Sequence, residues 1–164
     1  MPISSVGKIK NSRGVTLIEL TIALAIIGMI TALSYPSFLG GLESVRMAST
    51  TDSVSTFLNS AVTRAERRQL AVGLVISPKE GQLLMYSNEP GFERKLKMPN
   101  GISIKAVLPA IEGQDADAPR RLVLLPGATA PGIGILLASQ HGTQRLVRLD
   151  PMTGFPRVER VNSK

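Results

Sequence analysis

Arg13-Gly14-Val15-Thr16-Leu17-Ile18-Glu19-Leu20 opens an apolar run that continues to Leu33, and one carboxylate, Glu19, stands inside it. A short basic leader precedes it, with Lys8, Lys10 and Arg13 and no acid. From Val15 to Tyr35 a helix would reach roughly 30 Å, the thickness of a bilayer's hydrocarbon core. A charge well inside such a segment costs roughly 2.5–3.5 kcal/mol on insertion scales. Something must offset Glu19. A cut between Gly14 and Val15 would create a new α-amine four residues ahead of the carboxylate. In an assembly, a neighbour's amine could meet it.

Two simpler explanations compete. A secretory signal peptide also has a basic start and an apolar middle. It would need a small-residue cleavage site after the run, which instead passes into Ser34-Tyr35-Pro36. A plain single-span anchor would have no use for Glu19, unless that side chain simply reached back to the headgroups.

Leader, terminal Gly14, Val15, Thr16-Leu17-Ile18-Glu19 and the long apolar run together resemble the N-terminus of a type IV prepilin or pseudopilin. The resemblance implies cleavage between Gly14 and Val15 by a prepilin peptidase, with Val15 open to N-methylation. It gives Glu19 the role of pairing with the α-amine of a neighbouring Val15 during assembly. Pro36 stands where the family usually carries a helix-loosening proline. Val15 departs from the commoner phenylalanine, methionine or leucine. The chain also has no cysteine, whereas many major pilins close a C-terminal loop with a disulfide.

The 164 residues suffice for an anchor and one domain. Net charge is +7, of which the leader contributes three positive charges and no acid, so +4 remains after cleavage. A leader of that charge suits the cytoplasmic side of a membrane. The remainder is too mild to argue for nucleic acid by itself. With no Cys there is no thiol catalysis and no Cys-based zinc site. Aromatic residues make up only 4% and Trp is absent, so the core must come mainly from Leu, Val, Ile and Ala.

Beyond the apolar run, Pro36 with Gly40 and Gly41 marks a weak point in one long helix rather than its end. Gly28 either lets a neighbouring helix approach closely or is merely tolerated. Leu42, Val45, Val54, Phe57, Leu58, Ala61, Val62 and Ala65 then recur at helical spacing, with a gap after Val45, and predict an amphipathic helix to about Gln69. The weakly apolar Ala48–Ser53 part is assigned to neighbours rather than to a core. Arg64, Arg67 and Arg68 are assigned to the helix C-terminal dipole.

The rest predicts strands: 71–77 and 82–87 around the turn Pro78-Lys79-Glu80-Gly81, then 101–108, 121–125, 133–139, 144–149 and 155–161. We therefore expect an α+β, pilin-like fold: a long N-terminal membrane-spanning helix packed by its C-terminal half on an antiparallel sheet. The expected divisions are a leader (1–14), a transmembrane helix (15–35), an amphipathic continuation (36–69) and a β-rich periplasmic domain (70–164).

Few residues invite other chemistry. His141, the only histidine, lies in a hairpin turn beside Gly142; a catalytic triad would need a nucleophile and an acid nearby. Glu112, Asp115 and Asp117 could offer oxygen ligands to calcium but lack the EF-hand register, and a solvated loop is preferred. Arg145, Arg148, Arg157 and Arg160 lie on the last two strands, where several on one face would form a cationic stripe for phosphates. The blander choice is an ordinary charged sheet face.

We expect no enzyme and no cofactor. The expectation is a structural minor pseudopilin of a type II secretion filament, nearest the H type from its C-terminal hairpin. It would sit singly through the bacterial inner membrane, with its leader cytoplasmic and its domain periplasmic. Its partners would be other pseudopilins or pilins, the peptidase and the inner-membrane assembly platform. The alternative is a minor type IV pilin of a pilus or competence system that contacts DNA.

Overall fold

A single helix, α1 (Leu17–Arg68), begins at the motif and runs through Pro36, Gly40 and Gly41 in the computed structural model. The structure describes residues 15–161 apart from 112 and 114, and for 33–40 only the backbone. The leader with Gly14, and Glu112, lie outside the described residues. The chain divides into one unit up to Gly41 and another from Leu42.

In the first unit, side chains on every side of the helix are solvent-exposed. Leu17, Ile18, Leu20, Ile22, Leu24, Ile26, Ile27, Met29 and Ile30 are all more than half exposed. Consecutive apolar residues cannot share one stripe, so this part of α1 has no solvent face and core face. Among the described residues no helix is long and apolar enough to cross a membrane.

In the second unit the helix is one-sided. Met47, Val54, Leu58, Ala61 and Ala65 are buried, and Thr50 and Thr51 are buried between them. This corrects the expected stripe in two ways. Leu42 and Val45 face solvent, and the gap after Val45 is filled by Met47 and by Thr50 and Thr51, the two threonines lying in the 48–53 part that the sequence had assigned to neighbours. The Thr50 hydroxyl donates to the Arg46 carbonyl at 2.8 Å and that of Thr51 to the Met47 carbonyl at 2.6 Å. A hydroxyl bonded back to its own helix can enter a core without an unmet donor. After Arg68, Gln69 adopts a left-handed φ of 54° and turns the chain toward the first strand.

The α+β expectation holds, with the helix packed on antiparallel sheet. Two sheets are present instead of one. The strands are β1 (Val72–Ser77), β2 (Gln82–Ser87), β3 (Glu93–Lys97), β4 (Ile102–Leu108), β5 (Arg120–Leu124), β6 (Gly134–Ser139), β7 (Gln144–Leu149) and β8 (Pro156–Val161). The first sheet has the order β3-β2-β1-β5 and the second β4-β6-β7-β8, all pairs antiparallel. β5 leaves β4 to pair with β1, so the chain returns to the first sheet before completing the second. The expected 82–87 and 144–149 hairpins both form, in register with β1 and β6.

One core joins the helix stripe to both sheets. Val72, Leu74 and Ile76 of β1 and Leu83 and Met85 of β2 meet it from the first sheet. Ile102, Ile104, Ile135, Leu137, Val147 and Leu149 meet it from the second. Alternation sends the intervening residues outward. On the outer face of the first sheet, Gly73 pairs with Tyr86 across the strands, and the Tyr86 ring lies where a Cβ at position 73 would project.

Candidate functional site

Thr16 starts α1 as its N-cap. The Glu19 backbone N–H donates to the Thr16 hydroxyl oxygen at 3.3 Å, and the Leu20 N–H donates to the Thr16 carbonyl at 3.2 Å. Thr-x-x-Glu is the spacing of a capping box, so Glu19 occupies the third helical position. Its charge there faces the positive end of the helix dipole, worth about 0.3–1 kcal/mol at an exposed site. The four letters therefore have a local structural reason that the sequence displays and our reading of the motif overlooked. That reason covers only part of the charge. Among the described residues the Glu19 carboxylate has no ion-pair partner.

The other polar side chains of the run are self-contained. The Thr21 hydroxyl donates to the Ile18 carbonyl at 2.8 Å and that of Thr31 to the Ile27 carbonyl at 2.7 Å. The exposed helix thus shows the outside an apolar surface and one carboxylate, with Val15 beside it, 71% exposed. Among the described residues a Cβ at Gly28 would meet nothing within 4 Å, and the same is true of Gly41, so no contact described demands glycine at either. The side chains of Pro36 and residue 40 lie outside the described residues, though the helix passes through both.

The four arginines of the last strands do not form one stripe. β7 and β8 place Arg145 directly opposite Arg160, and Arg148 directly opposite Arg157. Opposite residues share a face, while positions 145 and 148, an odd number apart, do not. The cations therefore stand two and two on opposite faces. Arg157 also pairs with Asp150 at 3.1 Å. The Met152 N–H donates to Asp150 Oδ1 at 2.9 Å, and this bond above all holds the Asp150 carboxyl below its ordinary pKa; burial opposes the shift and Arg157 adds to it.

His141 lies in the β6–β7 turn as expected, but it also has a partner: its Nδ1 meets the carboxylate of Glu43 on α1. Asp115 accepts the Asp117 N–H at 3.3 Å in a local turn. Among the described residues no group of three or more His, Cys, Asp or Glu side chains could hold a metal. Arg64 is more than a cation at a helix end. It pairs with Glu89 and lies over the Phe92 ring at 3.2 Å from the centroid, so it ties the helix to the β2–β3 connection. Arg68 reaches Glu89 at 3.8 Å. Sequence spacing carries no sign of either contact.

Residues 9–35 match the family model described as the prokaryotic N-terminal methylation motif. The match spans the leader end, the capping threonine, Glu19 and the apolar helix. It supports the pilin and pseudopilin family, together with prepilin peptidase processing, and fits a membrane-anchored protein. It does not distinguish a secretion filament from a pilus. No curated protein and no solved structure matches the chain.

Proposed function

We propose that this chain is a non-enzymatic structural subunit, a minor pseudopilin of the H type in a type II secretion filament. The leader stays in the cytoplasm, a prepilin peptidase cuts after Gly14, and the helix of residues 15–35 spans the inner membrane. Gly14 supplies the scissile carbonyl, and its lack of a side chain lets the peptidase approach. The freed Val15 amine of one subunit then meets Glu19 of the next. The domain from Leu42 onward lies in the periplasm and coats the filament.

One observation carries this: the methylation motif leads into a helix that is apolar on every side and bears one carboxylate in its first turn. A helix of that kind has no core of its own to bury against, so its burial must be supplied by lipid or by other subunits. Glu19 is the group that distinguishes assembly from simple anchoring. Partial desolvation strengthens an amine–carboxylate pair relative to water.

The test is incorporation of Glu19→Ala into filaments in cells that hold the full secretion system, read by cross-linking to neighbouring subunits. Incorporation falls by about tenfold or more, the effect of losing one charge pair, while leader removal persists. Equal incorporation of the variant and the parent chain would sink the proposal. The helix-dipole role of Glu19 alone predicts only a small loss, because an exposed charge in a first turn contributes modestly.

A further inference from the structure

The two arginine rungs of the β7–β8 pair are unequally balanced. Arg148 and Arg157 stand opposite each other with Asp150 beside them. Arg145 and Arg160 stand opposite each other with no acidic partner among the described residues. Like charges directly opposite in a sheet are destabilising. This rung opens on a cleft of about 530 Å3 that also gathers Ser44, His141, Thr143 and Gln144. The Ser44, Thr143, Gln144, Arg145 and Arg160 side chains make no hydrogen bond among the described residues, whereas the backbone N–H of Thr143 is taken by Ser139 Oγ at 3.1 Å. The acid near this turn, Glu43, meets His141 through Oε2, has its Oε1 buried with no partner among the described residues, and is not in the cleft lining.

We propose that this cleft binds a compact phosphate group, held between Arg145 and Arg160. Two guanidinium forks present more donors and more charge than a single carboxylate can satisfy. A phosphate dianion offers several acceptor oxygens and neutralises both cations. The Ser44 and Thr143 hydroxyls line the same cleft and can add to its shell. A long nucleic-acid backbone fits less well, because the other arginine rung lies on the opposite face. The site is independent of the Glu19 reading, since every residue of it lies after Gly41.

The experiment uses the full chain in neutral detergent, with inorganic phosphate titrated at constant ionic strength and the thermal midpoint of the domain followed. The midpoint rises and saturates with phosphate, and chloride does not reproduce the rise. Arg160→Gln separates two effects. Without phosphate it raises the midpoint, because the like-charged rung is relieved. With phosphate its affinity is weaker by about tenfold or more, the loss of a charge-assisted contact. Arg148→Gln keeps the parent response, and so does Glu19→Ala. Nanodiscs locate the source. If phosphatidic acid discs raise the midpoint and block the free phosphate response, the phosphate comes from a lipid headgroup. If they match phosphatidylcholine discs and free phosphate still acts, it is soluble. The proposal is overturned by a response that does not saturate or is equal in Arg160→Gln. It is overturned too by a response to single-stranded DNA with none to phosphate.

Discussion

Four threonines on one helix show how differently its two ends are used. Thr21 and Thr31 lie in the first unit and Thr50 and Thr51 in the second, and all four donate their hydroxyl protons to carbonyls three or four residues back. The device is the same, but the surroundings are opposite. The first pair is exposed among exposed Leu and Ile; the second is buried among Met47, Val54 and two sheets. The second unit finds its apolar partners within the chain. Among the described residues the first has none, and in the function proposed above lipid or neighbouring subunits supply them. Self-satisfied hydroxyls suit the buried core, and they suit equally the water-free setting that the proposed function gives the first unit.

The contrast can be broken most sharply with one leucine from each unit. Leu58, buried in the core, is predicted to cost about 2–5 kcal/mol when changed to Ala. Leu24, 59% exposed, is predicted to move the unfolding of the domain by less than about 0.5 kcal/mol when changed to Ala. Urea unfolding of the full chain in neutral detergent measures both. Similar losses at the two sites would mean that the first unit contributes to the domain's stability, against the division drawn here.

A smaller effect sharpens the account of the second unit. Gly73→Ala places a methyl group under the Tyr86 ring, which must swing away, at about 1 kcal/mol. In a Tyr86→Ala background the same change costs nothing or stabilises slightly, since alanine is no worse than glycine in a strand. A double-mutant cycle reads the difference; a cost that persists without the ring would refute the close approach.

The smallest effect concerns pH. Asp150 has its carboxyl held low in the folded state, chiefly by the Met152 N–H. Its folded pKa lies below its unfolded one, so its stabilisation is complete above the unfolded value near about 4 and fades as pH falls through the folded value. Asp150→Asn should flatten the acid limb of stability below that point and leave the neutral region little changed in slope. An unaltered acid limb would show that the turn bond contributes nothing to linkage.

What the sequence revealed was local. The methylation motif over residues 9–35 could be read because its signal lies in spacing, and the strands could be read where alternation met a turn. β3 escaped because Glu93-Arg94-Lys95-Leu96-Lys97 is charged on both faces, as an edge strand is allowed to be. The Glu93 side chain even pairs with Lys95 along the same strand at 2.7 Å, which raises the lysine's pKa, first by the hydrogen bond and then by charge. Thr50 and Thr51 looked polar and so were assigned outward, although their hydroxyls return to the helix. His141–Glu43 and Arg64–Glu89 join residues far apart in the chain, and nothing in the letters of either partner records the other. The odd spacing of Arg145 and Arg148 already separated their faces, but which arginine stands opposite which depended on the β7–β8 register.

The most direct measurement is the intact mass of the chain recovered from cells with and without an active prepilin peptidase. With the peptidase, the protein should begin at Val15, lighter by the mass of residues 1–14 and heavier by one methyl group where the amine is modified; without it, the full chain should remain. A chain that keeps Met1 in both cells, or one cut beyond Tyr35, would contradict the account at its base.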